Sequence, residues 1–546
     1  MEKMANLLPV KIAGYGRLKN FSLRKNLHLL ALIVILLTAA FLRLYKISDY
    51  MTFLGDEGRD VLVVRGILQG DFTLLGPRAS AGDFFLGPIY YYFMAPFLFL
   101  FRYDPVGPAV MVALFGIATV YLVYKVGSEF FNKQTGLFAA ALYAVSPLVI
   151  AYSRSSWNPN LMPFTSLLTI YFLYKAVIST SWRYFFVVGL LLGISMQLHY
   201  LTTFLTVIIG VYILIAKRIL DGRLRLFSIC KNYVQVLAGF AVGISPFLAF
   251  ELKHWFPNTK TILQFIFANI TDTTYEFNNS FGTIVKDVFF RLFGRLVTRF
   301  PPPEQVAVHT DVTTEGWYYA TLLLGIVSLG IFLFRYVHIE RKESPAFLRM
   351  TLLLIWGVVG VLLFGVYKQS IYDYYFSFLF PLPFFLVGYT IASVYQSSHL
   401  RSIGKMTALV VFGLLLFINL QGAPFWYAPN KQKEQVQMIA EFVLSKADNK
   451  PFNFALITPG NSDHGYRYFF SLNNRNPVTI ENPQKDPMRK SVTDQLLIVC
   501  ENPNCKPLGD SLWEVAGFGR AEIAGVWDVS VVKVYKLVAY EENRIR

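Results

Sequence analysis

Residues 53–60 read FLGDEGRD, which sets two adjacent acids, Asp56 and Glu57, between two glycines and beside Arg59. They follow directly on an apolar run, 27–45. Carboxylates this close to a bilayer cost energy unless they face water, a partner or a site. Adjacent residues do not share a helix face. One acid is therefore free to act on a substrate while the other anchors the turn. The competing reading is a helix cap, because Asp favours the N-terminus of a helix over 57–68.

Three more turns carry polar groups between apolar runs. YSRSSWNPN (152–160) supplies Arg154, Trp157 and Asn158. The interruption QLHY (197–200) supplies His199 and Tyr200, and GVYKQSIYDYY (365–375) supplies Lys368, Tyr372, Asp373 and Tyr374. A lone histidine at a helix break is more often structural, and Lys368 has an equally simple reading as the flank of a helix end. Brought to one membrane face, these groups would make a polar cavity with a base and several cations. Such a cavity suits a sugar carried on polyprenyl phosphate. A carboxylate takes the proton from an acceptor hydroxyl, and Arg and Lys stabilise the phosphate that departs. That leaving group needs no general acid, and a lipid-linked donor would enter sideways from the bilayer.

The elements that position these residues follow from composition. The chain has 546 residues, 55% hydrophobic, 16% aromatic and only 15% charged. A soluble protein is about 25% charged. A soluble enzyme and a disordered chain are excluded, and a polytopic membrane protein is indicated. A helical span needs about 20 apolar residues. The runs 27–45, 106–124, 136–152, 159–174, 232–250, 317–334, 350–366, 374–395 and 406–422 qualify or nearly do. The run 184–216 is too long for one span and breaks at Gln197–Tyr200, which makes eleven spans. FFLGPIYYYFMAPFLFLF (84–101) holds two prolines and three neighbouring tyrosines, and it reads as an interfacial helix at headgroup level. It lies in a long first loop, 46–105; a second loop covers 251–316.

Charge bias orients this topology. With eleven spans, the N-terminus and alternate loops share one side. They hold 21 Lys and Arg against 5 Asp and Glu, which accounts for the whole formal charge of +16. The other side balances at 29 basic against 29 acidic residues. The excess thus reports orientation, with the N-terminus cytoplasmic and the tail outside a plasma membrane, and it is no nucleic-acid signature. The first apolar run carries no small-residue cleavage pattern and reads as a retained span. In the second loop, residues 283–300 put Arg291, Arg295 and Arg299 at i, i+4 and i+8. This is an amphipathic helix on the membrane, its arginines touching headgroups or gathering a phospholipid-like substrate. The tail, 428–546, follows the membrane module 1–427. It has a helical stretch at 433–447 and strand-like stretches at 452–458, 495–500 and 528–537, a small α/β domain of lid or partner-binding type. Cys500 and Cys505 form either a disulfide or two free thiols.

These features resemble the GT-C fold glycosyltransferases of the protein O-mannosyltransferase and aminoarabinose transferase-like superfamily. The Asp56–Glu57 pair resembles that group's first-loop motif, and GPIYYY (87–92) its juxtamembrane segment. SRSSWNPNLMPF (153–164) resembles its second outer-loop motif, and YFSFLFPLPFFLVG (375–388) its late Tyr…Pro span. The resemblance covers about 1–425. It implies a membrane all-α fold with juxtamembrane helices, Asp56 as base, Glu57 as its partner, and Arg154 at a phosphate. Arg59, Asn158, His199, Tyr200, Lys368, Tyr372 and Tyr374 complete the expected substrate contacts. The expected partners are a polyprenyl-phosphate sugar, membrane lipids and an acceptor that is protein, lipid or glycan. Many relatives carry an acid where Asn158 stands. Hard cations prefer carboxylate oxygen, so the expectation is an enzyme without a cofactor or metal ion. The alternatives are a lipid or sugar transporter or flippase, and a non-catalytic cell-envelope assembly protein.

Overall fold

The computed structural model describes residues 23–79, 82–271, 280–301, 312–341, 344–367, 369–502 and 504–540, without the side chains of 23–26 and 265–271. Lys368 lies outside the described residues. Among them, eight helices are long and apolar enough to cross a membrane, and nine if one bent pair counts as a span. The expected count of eleven does not follow from these lengths. The run 136–152 is two helices, Lys133–Val145 and Pro147–Tyr152, separated where Pro147 removes a backbone donor. Trp182–Leu198 is helical but only 17 residues long. The late span bends by 58° between Asp373–Leu379 and Pro381–Gln396. The run 232–250 begins earlier and stops early, as Leu226–Gly243, before a separate helix with Pro246 in its first turn.

Small residues bring helices into backbone contact, as membrane packing favours. GLLLG (189–193) and GFAVG (239–243) face each other. A Cβ on Gly239 would lie 1.9 Å from the Phe186 carbonyl oxygen, and one on Gly189 would lie 1.8 Å from that of Val236. On the helix Val106–Phe130, Gly116 leaves room for a buried charge: a Cβ there would lie 3.0 Å from Arg43 Nε.

The juxtamembrane helix is Ile89–Leu100. Its tyrosines turn into the protein. Tyr90 and Tyr91 are buried, and Tyr90 hydrogen-bonds Ser156 Oγ at 2.9 Å. Tyr92 donates to the Thr73 carbonyl at 2.8 Å. Their hydroxyls thus find partners inside the protein rather than in lipid.

The amphipathic helix of the second loop spans Phe281–Gly294. Two of its arginines pair with an acid of this chain. Arg291 Nε and Arg295 Nε each donate to Asp373 at 2.9 Å. Arg299 lies beyond the helix with a left-handed φ of 57°, and its guanidinium reaches the Tyr427 hydroxyl at 2.9 Å.

The C-terminal domain is a four-stranded sheet of order β1-β2-β4-β3. The strands are β1 (Asn453–Ile457), β2 (Gln495–Cys500), β3 (Ala521–Val529) and β4 (Val532–Ala539). β1 and β2 run parallel and the other pairs antiparallel. The expected single strand 528–537 is a hairpin that reverses at Ser530, which takes a left-handed φ of 55°. The helix Gln432–Lys446 matches expectation, whereas His464–Leu472 was not foreseen. Cys500 and Cys505 form a disulfide.

Candidate active site

The helix Gly55–Leu68 follows the first span after one short helix, Ile47–Tyr50, and carries both acids in its first turn. Glu57 is the capping group: its Oε2 accepts the Leu54 N–H at 3.0 Å. It is buried, and burial pushes its carboxyl up. Asp56 is left outward, with a side chain 56% exposed. Its partner is Arg59, whose Nη1 donates to Asp56 Oδ1 at 2.9 Å. The rest of that guanidinium holds buried Asp60, at 2.9 Å from Nε and 2.7 Å from Nη2. The adjacent acids have thus divided their roles, one capping and one presented.

Asp56 borders a cavity of about 770 Å³. Gly55, Asp56 and Glu57 form one wall. Tyr152, Arg154 and Trp157 form another, and Gly460, Asn461 and Ser462 of the C-terminal domain close a third. The volume suits a ligand of drug size. Arg154 is buried, and its Nη1 and Nη2 donate to the carbonyls of Leu42 (2.8 Å) and Tyr45 (2.7 Å). Its guanidinium lies 5.5 Å from the Tyr50 ring centroid. Burial lowers its pKa to about 10. Beside it, Arg43 is fully buried, donating from Nη1 to the Ala39 and Ala144 carbonyls at 3.3 and 2.9 Å. Among the described residues neither arginine is in an ion pair with an acid, and Arg43 Nε, Arg43 Nη2 and Arg154 Nε are buried without a hydrogen-bond partner. Arg154 is the guanidinium on this wall, with Asp49 the acid that acts on it through space, and Arg43 lies close to it without lining the cavity. A buried cation at the wall attracts an anion.

Of the expected site residues, Asp56, Glu57 and Arg154 line this cavity and Arg59 stands behind Asp56. The others are not among the residues that line it. Asn158 Nδ2 donates to the Leu198 carbonyl at 2.5 Å, which ties the end of one helix. His199 is buried, and its Nδ1 accepts the Leu201 N–H at 3.3 Å. The Tyr200 and Tyr367 hydroxyls meet at 2.7 Å. Tyr374 packs on Trp157 with ring centroids 4.5 Å apart and stacks on Tyr372 at 5.9 Å. These groups form an aromatic cluster behind Trp157. Asp373, from the same turn, neutralises Arg291 and Arg295.

Sequence reasoning missed Arg43 and the 460–462 loop. Arg43 sat in plain view as a charge inside an apolar run, the usual signal of an intramembrane site. The loop's signal was TPGNS after a strand, a turn that only the domain's docking brings to Asp56. Among the described residues, no three or more His, Cys, Asp or Glu side chains are grouped to hold a metal ion. Asn158, at the position where an acid was sought, points its amide at a backbone carbonyl.

The membrane-crossing helices with a small C-terminal sheet domain have the GT-C fold. Residues 86–250 match the family model described as dolichyl-phosphate-mannose-protein mannosyltransferase. The chain is similar to ArnT from Cupriavidus metallidurans, solved bound to undecaprenyl phosphate. The TM-score is 0.59 at 11% identity, over 94% of this chain and 98% of that one. It is also similar to the oligosaccharyltransferase AglB from Archaeoglobus fulgidus, solved with an inhibitory peptide and a dolichol-phosphate. There the TM-score is 0.50 at 14% identity, over 87% of this chain and 70% of that one. No curated protein matches the chain by sequence.

Proposed function

We propose that this chain is a membrane glycosyltransferase that moves a sugar from a polyprenyl-phosphate donor to an acceptor hydroxyl at the outer face of a cell membrane. The observation that carries this reading is one cavity lined by both Asp56 and Arg154, whose Nε is buried without a hydrogen-bond partner. The similar ArnT and AglB structures hold a polyprenyl or dolichol phosphate, which supports a lipid-linked donor here.

In this mechanism Arg154 meets the donor phosphate and stabilises the charge that develops on its bridging oxygen. Asp56 removes the acceptor proton as the acceptor oxygen attacks the anomeric carbon. The sugar–phosphate bond breaks on the opposite face, so configuration inverts. Arg59 holds the carboxylate toward the cavity, and Glu57 fixes the turn from which it projects. An apolar groove of about 400 Å³, flanked by Val285, Phe289, Leu353 and Leu386 with Lys286 beside it, offers a place for the donor tail. The N-terminus is cytoplasmic in this arrangement.

The test is sugar transfer in proteoliposomes that contain only polyprenyl-phosphate mannose and a candidate protein, lipid or glycan acceptor. Transfer by the wild type, with loss of transfer but not of donor binding in Asp56→Asn, supports the reading. Normal transfer by that variant removes Asp56 as base, and lipid movement without transfer favours a transporter. The reaction proceeds without a divalent metal, so full activity is expected in EDTA. Activity lost in EDTA and restored by a divalent ion would overturn that part.

A further inference from the structure

We propose that Asn461 is a positioning residue for Asp56, acting from the C-terminal domain and itself set by Glu501. The inference rests on the reading of Asp56 as the base. The first amides of a helix have no partner within it. Glu57 takes that of Leu54, and Asn461 Oδ1 takes that of Gly55 at 2.9 Å, in the residue just before Asp56. The same oxygen accepts the Ser462 N–H at 2.8 Å, which binds the loop and the helix start to one atom.

The amide's orientation is dictated from its other side. Asn461 Nδ2 donates to Glu501 Oε1 at 3.1 Å. Glu501 also accepts from Thr458 Oγ1 at 2.7 Å and from the Tyr466 hydroxyl at 2.9 Å. An acceptor held by three donors leaves Asn461 one way to point, with oxygen toward Gly55. Glu501 follows Cys500, the last residue of β2 and half of the disulfide, so the chain of contacts ends on the sheet.

The two glycines around the acid pair make this contact sterically possible. A Cβ on Gly55 would lie 2.0 Å from Ser462 Oγ, and one on Gly58 would lie 2.3 Å from the Gly465 nitrogen. The domain therefore rests directly on the backbone of the first helical turn. Fixing the Gly55 peptide fixes the direction in which the exposed Asp56 side chain leaves the helix. A catalytic group displaced by about 1 Å loses roughly a hundredfold in rate.

The experiment compares full-length wild type, Asn461→Ala and the reversed pair N461D/E501Q. Hydrogen exchange over 54–58 and undecaprenyl phosphate binding are measured on purified protein. Consumption of polyprenyl-phosphate mannose is measured in membranes of the expressing cells, which supply the acceptor. In Asn461→Ala we expect exchange over 54–58 to rise about tenfold, as the loss of one backbone hydrogen bond implies. Consumption should fall about a hundredfold with lipid-phosphate affinity unchanged. The reversed pair, in which the amide donates to the carboxylate from the other side, should recover most of both losses. Unchanged exchange in Asn461→Ala overturns the proposal. So does a loss of lipid affinity that tracks the loss of consumption and is not restored by the reversed pair. If the wild type consumes no donor, the transfer reading fails, and exchange over 54–58 still decides whether Asn461 holds the turn.

Discussion

The Asp56 turn and the aromatic cluster around His199 both set polar groups at the ends of apolar helices, yet of these groups only Asp56 and Glu57 line the cavity. In the cluster each polar group has closed on a neighbour. Asn158 is tied to Leu198, His199 to Leu201, and Tyr200 to Tyr367, under a layer of rings. In the turn, Asp56 is half-exposed beside a cavity that Arg154 also lines, with the Arg154 Nε left without a hydrogen-bond partner. Residue type does not distinguish a site from a scaffold here; the number of satisfied partners does.

Substitutions on both sides test that distinction. The largest loss should come from Asp56→Asn, about a thousandfold in transfer, the scale of a missing general base. Arg154→Gln should cost about a hundredfold, together with weaker binding of undecaprenyl phosphate measured directly. His199→Ala should do the reverse. It should lower thermal stability by about 2 kcal/mol, through a cavity and an unpaired amide, while transfer per folded molecule stays near wild type. A His199 variant that is stable yet inactive would break the comparison and return His199 to the site.

How much of this was legible in the sequence depended on whether a signal was local. The Asp56–Glu57 pair and Arg154 stood out because charges beside apolar runs are costly. The length of the apolar runs gave the helices, but not Pro147's break or the bend before Pro381. Those depend on whether neighbouring helices supply the lost backbone partners. The Arg291 and Arg295 spacing read as a lipid-facing stripe because Asp373 lies about 80 residues away in sequence. The same distance hid Asn461: the loop that completes the cavity is separated from Gly55 by 406 residues. The partners of the GPIYYY tyrosines were hidden for a related reason. Amphipathic rings suit an interface and equally suit a protein interior that offers Ser156 and Thr73 as partners.

The smallest effect probes where the open turn becomes buried core. Asp60 is one helical turn from Asp56 but fully buried, and burial raises its pKa to about 7, although Arg59 at 2.7 Å pulls the other way. In the unfolded chain the same group titrates near 3.9. Between about pH 4 and 7 the folded state therefore holds a proton that the unfolded state has released. Stability then falls as pH rises through that window and is lowest above it. Asp60→Asn removes the titration. Its unfolding midpoint, compared with wild type, should become relatively higher at pH 7 than at pH 6, by the equivalent of roughly 1 kcal/mol. Parallel midpoints at the two pH values would instead mean that Arg59 keeps Asp60 charged at no cost. The boundary between the presented carboxylate and the buried one would then lie deeper in the helix than Asp60.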